Sequence, residues 1–201
     1  MNVKLAASVL AASTAITSVS SAAIFVFNQQ TTWETFAGVY GNYVFTEDFN
    51  DIADGFYSSP FVDSTGPVNW SATAAGGLYV NAGVFSTNTP ETMTFNFSGA
   101  ALNGVGGNFF ATDIGFNAVP ALIFVSLNDG TSYAGVISNT STFTGFYSTG
   151  AAITSISVQA FSPSTPVYPS VDNMKFATLV PAPGALALLG LAGVVGGRRR
   201  R

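Results

Sequence analysis

The sequence contains no cysteine and no histidine, and charged residues make up only 8% of its 201 positions. These absences exclude disulfides, thiol nucleophiles, histidine-dependent catalytic triads and zinc sites of the usual nitrogen and sulfur type. Average soluble domains carry about 25% charged residues, so the chain is poor in charge as well. Its length suffices for one ordinary domain once processing segments are set aside.

The few charges are unevenly placed along the sequence. All ten acidic residues lie between Glu34 and Asp172, whereas five of the six basic residues lie near the two ends, at Lys4 and at positions 198–201. The region between the ends has Lys175 as its only cation and is therefore acidic. Because Lys and Arg supply nucleic-acid affinity by neutralising phosphates, we expect no nucleic-acid binding.

Residues 1–23 have the pattern of a secretory signal peptide. Lys4 precedes an apolar run over residues 5–19, and the small residues that follow suit cleavage after Ala22 or Ala23. The alternative is an N-terminal membrane anchor, but Ser and Thr residues, among them Ser8, Ser13, Thr14 and Thr17, interrupt the apolar run and weaken it for that purpose. The pattern therefore predicts export with cleavage.

A second targeting pattern lies at the C-terminal end of the sequence. A break containing Pro181 and Pro183 leads into an apolar run over residues 184–197. Four basic residues follow, namely Arg198, Arg199, Arg200 and Arg201. This order favours a segment that enters a bilayer and halts with its positive end on the cytoplasmic side.

The apolar run has about 14 residues, against the roughly 20 needed to span hydrocarbon. We therefore predict a short transmembrane helix with its Arg tail at residues 184–201, which suits a transient anchor better than a permanent one. The alternative for the arginines is a nucleic-acid or heparin patch. The apolar run directly before them favours the membrane stop.

Residues Val180, Pro181, Ala182 and Pro183, the Gly/Ala/Leu run and the Arg cluster together resemble the PEP-CTERM sorting signal of bacterial exported proteins. The resemblance implies processing by an exosortase-type membrane enzyme. It also implies a destination at the cell surface or in the extracellular matrix, often alongside polysaccharide. The family signature is Pro-Glu-Pro, and here Ala182 stands in place of the Glu. That departure bears on cleavage rather than on the membrane stop.

The region between the targeting segments reads as one all-β domain. Short runs rich in Val, Ile, Thr, Phe and Tyr alternate with Gly, Asn, Ser and Pro, and no helical periodicity stands out between residues 24 and 179. The candidate strands are residues 24–27, 43–49, 68–72, 78–81, 91–97, 108–112, 122–127, 133–137, 156–160 and 172–176. The Asp129-Gly130 pair predicts a tight hairpin between two of them.

This spacing favours a two-sheet antiparallel β-sandwich that resembles a jelly roll, over residues 24–177. Residues 178–183 would then form a linker that carries the sorting motif. The 18 phenylalanines offer large apolar side chains for its core.

Three carboxylates form a candidate metal site. Strand parity places Glu47 on the face of Phe45 and Phe49, and Asp172 on the face of Met174 and Phe176, so both would point the way the core residues point. The first and last strands of a jelly roll are commonly neighbours, so Glu47 and Asp172 are expected to converge. With almost no cations to pair with, a hard cation such as calcium is the natural partner.

The stretches Glu47-Asp48-Phe49-Asn50 and 171–176 also resemble the paired end strands of carbohydrate-binding-module-like jelly rolls, some of which hold a structural calcium there. The resemblance implies a calcium site at Glu47, Asp48 and Asp172. The alternative is that these acids cap loops at solvated strand ends.

No motif in the body indicates catalysis. Three aromatic residues, Trp70, Tyr79 and Tyr147, would suit stacking on sugar rings if exposed, or the core if buried. We therefore predict a non-enzymatic, exported surface or matrix protein that adheres to polysaccharide or to other surface proteins. The alternatives are a secreted glycan-active enzyme that uses paired carboxylates and a purely structural matrix component.

Overall fold

The computed structural model describes residues 23–179, and these residues form two antiparallel β-sheets packed face to face. The predicted all-β sandwich is confirmed. The signal peptide, the motif Val180–Pro183 and the predicted transmembrane helix with its Arg tail lie outside the described residues. Within the described part of the chain, no helix is both long and apolar enough to cross a membrane.

The larger sheet has eight strands. Their bounds are β1 (Ile24–Phe27), β2 (Tyr43–Glu47), β3 (Gly55–Tyr57), β6 (Leu78–Asn81), β7 (Val84–Thr87), β9 (Leu102–Thr112), β12 (Phe143–Ser148) and β14 (Tyr168–Thr178). The order is β1-β12-β9-β14-β7-β6-β3, and β2 pairs with the C-terminal half of β14. The long strands β9 and β14 therefore form the centre of this sheet.

The smaller sheet has six strands in the order β11-β10-β13-β8-β5-β4. Their bounds are β4 (Phe61–Thr65), β5 (Val68–Thr73), β8 (Met93–Gly99), β10 (Ala121–Leu127), β11 (Ser132–Ile137) and β13 (Ser155–Phe161). The hairpin predicted at Asp129-Gly130 connects β10 to β11. Gly130 has φ +89°, a conformation that glycine adopts without a Cβ clash.

The core lies between the two sheets, where alternating side chains of each strand interdigitate. On β10, Ile123 and Val125 are fully buried, and on β5, Val68 and Trp70 occupy the same layer. Phe85 packs edge-on against the ring of Trp70 from the opposite sheet. Period-two burial of this kind is usual where one face of a strand packs on a core.

All ten predicted strands are present, but four further strands were missed, namely β3, β4, β7 and β12. Strand β12 is the clearest case, because all six of its residues are buried and none of the alternation that marks a half-exposed strand remains. Strand β2 ends at Glu47 rather than at position 49, because Phe49 has φ +53° and leaves the extended conformation.

No helical periodicity stands out between residues 24 and 179, yet the structure contains one helix there. Helix α1 (Gln30–Val39) packs on the outer face of the larger sheet, with Trp33 and Ala37 fully buried. The helix has ten residues and three threonines in a poor helix-forming segment, so its periodicity in the sequence is weak. Tertiary contacts stabilise it, as is usual for helices of this length.

Glycines in the sheet make room for this helix. A Cβ at Gly104 would lie 2.8 Å from Trp33 Cζ2, and a Cβ at Gly145 would lie 2.7 Å from Trp33 Cδ1. The indole nitrogen of Trp33 donates a hydrogen bond of 2.9 Å to the carbonyl oxygen of Phe146. Lys175 on β14 forms a 3.1 Å salt bridge with Glu34 of α1.

Candidate functional site

The predicted sugar-stacking aromatics fall into two groups in the structure. Trp70 is 1% exposed and Tyr147 is 2% exposed, so both belong to packed interiors, as the core alternative held. Tyr79 is half-buried on β6 and borders an open groove. The candidate binding site is therefore built around Tyr79.

The groove lies at one end of the larger sheet, where β6, β7, β9 and β14 meet. It has a volume of about 400 Å³, within the usual range for a small-ligand site. It is lined by Tyr79, Asn81, Ser86, Thr87, Asn88, Thr112, Asp113, Ile114, Gly115, Phe116 and Tyr168. Aromatic rings and uncharged polar groups thus dominate the lining.

Three half-buried aromatic residues, Tyr79, Phe116 and Tyr168, contribute rings to the groove. The ring centroids of Tyr79 and Phe116 are 5.3 Å apart with the planes tilted by 45°. Phe116 has φ +62°, which is a strained conformation for a bulky residue. In this backbone conformation the Phe116 ring lies beside Tyr79 rather than in the core.

The turn that carries Phe116 is held by one carboxylate. Asp113 Oδ1 accepts hydrogen bonds from the backbone nitrogens of Gly115 (2.8 Å) and Asn117 (2.9 Å). Asn117 lowers the pKa of Asp113 below its ordinary value by hydrogen bonding. Its side chain has the larger effect and its backbone nitrogen the smaller one. Asp113 is therefore ionised at neutral pH and occupied in fixing the turn.

Hydroxyl groups on adjacent strands form the polar floor of the groove. Ser170 Oγ lies 3.0 Å from Thr112 Oγ1 and donates to Ser86 Oγ at 2.9 Å. Ser86 Oγ in turn donates to the carbonyl oxygen of Pro169 at 3.3 Å. The cross-strand register of β7, β14 and β9 brings these three buried hydroxyls together.

A hydroxyl on the core side of β7 is unsatisfied. Thr87 is 2% exposed, and its Oγ1 has no hydrogen-bond partner among residues 23–179. Buried polar groups in native proteins are nearly always paired, so an unpaired one calls for an explanation. Thr87 is directly opposite the core residue Leu78, so its side chain faces the space between the sheets and not the groove.

Glu47 lies where the parity argument placed it, on the buried face of β2 opposite Met174. Both of its oxygens are occupied: Oε1 accepts from the Phe49 nitrogen at 2.9 Å, and Oε2 accepts from the Thr65 hydroxyl. Burial raises the pKa of Glu47 above its ordinary value, although these two hydrogen bonds oppose the shift. Glu47 thus anchors the loop after β2.

The parity argument was wrong for Asp172. Asp172 pairs with Asn108 and Lys175 pairs with Gly106. Three steps along β14 therefore match two steps along β9, so β14 contains one extra residue here. This bulge, with Asn173 at φ +49°, puts Asp172 on the face opposite to Met174. Sequence parity could not register an inserted residue.

Asp172 nevertheless lies in a carboxylate environment. Burial raises its pKa most, and the nearby charge of Asp48 raises it further. Strands β2 and β14 are adjacent, so Glu47 and Asp172 lie at similar heights along the sheet, although on opposite faces. In the described part of the chain, no three His, Cys, Asp or Glu side chains are grouped to hold a metal. The calcium site at Glu47, Asp48 and Asp172 stays a prediction.

Sequence reasoning missed most of the groove. Residues Ser86, Thr112, Phe116, Tyr168 and Ser170 come from segments far apart in the chain, and no local pattern joins them. One signal was available, since Asp113-Ile114-Gly115-Phe116-Asn117 has the composition of a tight turn that displays an aromatic residue.

No protein-family model matches the chain, and no curated protein matches it either. Among solved structures, similarity is found to family 29 carbohydrate-binding modules. A mutant complexed with mannohexaose has a TM-score of 0.39 and 11% identity, over 68% of this chain and 92% of that one. Another module of the family has a TM-score of 0.38 and 11% identity, over 68% and 89%. The likeness is remote, so the chemistry of the groove must be read from its own residues.

Proposed function

We propose that this protein is an exported, non-catalytic surface or matrix protein that binds a neutral polysaccharide in the groove around Tyr79. The observation that carries the proposal is the combination of three half-buried aromatic rings with a floor of uncharged hydroxyl and amide groups. Sugars present the same two chemistries, since a pyranose ring has apolar C–H faces and a rim of hydroxyls.

Different residues of the groove lining match the apolar faces of a sugar and its hydroxyl groups. The rings of Tyr79 and Phe116 are placed to cover an apolar sugar face, which releases water from both surfaces. Asn81 and Asn88 can exchange hydrogen bonds with sugar hydroxyls, each of which both donates and accepts.

The charge distribution favours a neutral glycan over an acidic one. Asp113 is the only charged residue that lines the groove. Lys175, the single cation of residues 23–179, is almost buried and is paired with Glu34 beside α1. A uronate or sulfated chain would therefore meet negative charge without a compensating cation.

The same lining supports binding rather than hydrolysis. Retaining and inverting glycosidases need two carboxyl groups about 5–10 Å apart, one of them protonated. Among the groove residues only Asp113 carries a carboxyl group, and its lowered pKa disfavours the acid form. The groove thus favours the adhesive hypothesis over the glycan-active enzyme.

Export and sorting are proposed from the sequence of residues 1–23 and 180–201 alone. We expect cleavage after Ala22 or Ala23 and recognition of the Val180–Pro183 motif by an exosortase-type enzyme. Mass spectrometry of the native protein measures both ends at once. A mature chain that retains residues 184–201 would contradict processing at the C-terminal motif while leaving the membrane stop intact.

The groove is tested by isothermal titration with neutral hexasaccharides such as mannohexaose and cellohexaose. Tyr79→Ala is expected to weaken binding about tenfold, or about 1.4 kcal/mol, because it removes one stacking face. Tyr79→Phe retains the ring and should bind nearly as well. Phe161→Ala, which removes an exposed aromatic ring from the smaller sheet, is the matched control and should not change affinity.

Each other outcome selects a different function. Release of shortened oligosaccharides during the titration would contradict the non-catalytic proposal and favour the enzyme. Absence of binding to every neutral and acidic glycan on an array would favour the purely structural matrix component. Equal loss of affinity in Tyr79→Ala and Phe161→Ala would place the binding site elsewhere on the domain.

A further inference from the structure

A second surface of the domain is apolar, exposed and distinct from the groove. We call it the exit face and define it by Phe25, Val39, Tyr40, Tyr43 and Leu179. These side chains are between 40% and 78% exposed, and they account for five of the eleven large hydrophobic side chains that are exposed in residues 23–179. Such a concentration marks an interaction surface rather than scattered exposure.

The exit face is continuous across the end of the larger sheet. Phe36 connects Phe25 to Tyr40, with ring centroids 5.2 Å and 5.0 Å away respectively. A Cβ added to Gly41, the residue after Tyr40, would lie 3.9 Å from Leu179 Cδ2, so Leu179 lies next to this turn. Tyr43 is directly opposite Thr178, the residue before Leu179.

Both described ends of the chain reach this part of the sheet. The strand register joins Phe25 on β1 to Tyr147, then to Gly104, then to Ala177 on β14. The chain therefore leaves the domain at Leu179 from within the exit face. Four residues, Val180–Pro183, separate it from the apolar run at 184–197.

The five side chains of the exit face are uncharged, although the domain as a whole is acidic. Residues 23–46 contain one charged residue, Glu34, which is paired with Lys175 at 3.1 Å. The other nine acidic residues lie between Glu47 and Asp172. An anionic membrane would meet no charged side chain on the exit face itself, and at this end the acidic residue Asp129 lies beside Ile24, in the β10–β11 hairpin.

We propose that the exit face rests on the bilayer interface while the C-terminal segment is in the membrane. The inference rests on the proposed membrane role of residues 184–201, and its occupant is the lipid headgroup region. A four-residue connection reaches at most about 14 Å, so the domain cannot stand far from the hydrocarbon. Tyr is enriched at that depth because its ring is apolar and its hydroxyl is hydrated.

The absence of native cysteine makes a labelling test direct. The full chain is reconstituted into vesicles of phosphatidylethanolamine and phosphatidylglycerol as a Val39→Cys or a Val136→Cys variant, each carrying an environment-sensitive fluorophore. Val136 is the control because it is 73% exposed on β11 of the other sheet. Brominated lipids serve as the quencher.

We expect several-fold stronger quenching at position 39 than at position 136. Adding Tyr43→Ser should reduce quenching at position 39, and Tyr43→Trp should preserve it, since Tyr43 is exposed on β2 and makes little contribution to the core.

Three results would overturn the inference. Equal quenching at the two positions, or none at either, in vesicle-bound protein would show that the exit face does not rest on lipid while the membrane segment still inserts. Protein that fails to float with vesicles would overturn the membrane segment and the inference together. A fluorophore at position 39 that is already shielded without vesicles would show that the chain itself or a second copy covers the face.

Discussion

The two halves of the central strand pair, β9 and β14, carry different surfaces on the same side of one sheet. Next to β7, small hydroxyl residues such as Ser170 and Thr112 leave an open groove with a polar floor. Next to β2 and β12, Gly104 and Gly145 leave space that Trp33 of α1 fills. Small residues thus leave space on the sheet surface in both halves. Where Trp33 of α1 fills that space a core forms, and where no element covers it a groove remains.

The boundary between the halves is the bulge at Asp172. It shifts the register of β14 against β9, so that β14 pairs with β7 before the bulge and with β2 after it. Bulges commonly redirect side chains next to functional sites. Here the bulge separates the groove from the helix-covered half.

The largest test of the comparison removes the residue that fills the helix-covered half. Trp33→Ala should destabilise the domain by about 3–5 kcal/mol, because it empties a site enclosed by α1, Phe143 and Tyr147. Thermal unfolding measures the loss. Thr35→Ala on the exposed side of α1 is the control, and an equal effect of both variants would contradict the filling role of Trp33.

The second test concerns the bulge itself. If calcium binds at Glu47, Asp48 and Asp172, adding it at about 100 times its dissociation constant should stabilise the fold by about 2.7 kcal/mol. The midpoint of thermal unfolding with calcium or with chelator measures this. Asp172→Asn should abolish the effect, and Asp129→Asn in the exposed hairpin turn should not. An unchanged midpoint in the native protein would show that the calcium prediction is wrong.

The third test removes a ring from the groove without harming the fold. Phe116→Gly should weaken oligosaccharide binding about tenfold, or about 1.4 kcal/mol. The unfolding midpoint should stay equal or rise, because glycine adopts φ +62° without strain. Titration and thermal unfolding together check this. Full affinity in a folded variant would remove Phe116 from the binding site.

The smallest expected effect is a pH dependence of stability. The pKa values of Glu47 and Asp172 are raised above their ordinary values of 4.5 and 3.8, so the folded state binds these protons more tightly than the unfolded state does. Stability should therefore increase as the pH falls from neutral into the range just above those values.

Below about pH 3.8 the opposite sign takes over, because Asp48 and Asp113 have lowered pKa values and their contribution is lost as they protonate. Urea unfolding across this range, without calcium, gives the profile. Glu47→Gln should flatten the gain between neutral and mildly acidic pH. A variant profile identical to that of the native protein would show that Glu47 does not cause it.

The sequence predicted correctly the elements that depend on neighbours along the chain, and it missed those that depend on contacts between distant residues. Strands such as β8 and β13 were predicted because one face is buried and the other is exposed, which leaves alternation in the sequence. Strand β12 was missed because α1 buries its second face. The helix was missed because only Trp33 and Ala37 are buried and their partners lie on strands distant in the chain.

The candidate site was less predictable than the fold. Tyr79 was named, but so were Trp70 and Tyr147, and nothing in the local sequence distinguishes an aromatic residue at a groove from one in a core. Strands β2 and β14 are neighbours, but Glu47 and Asp172 lie on opposite faces of the sheet. The face of Asp172 was wrong because one bulged residue reverses strand parity.

The sequence by itself determined the all-β class, the acidic body and the targeting patterns proposed at residues 1–23 and 180–201, because each depends on composition or on neighbours along the chain. The tertiary structure decided the groove, the placement of α1 and the exit face. These features depend on which strands pair and in what register, so residues as distant as Tyr79 and Tyr168 become neighbours only when the sheets close around the core.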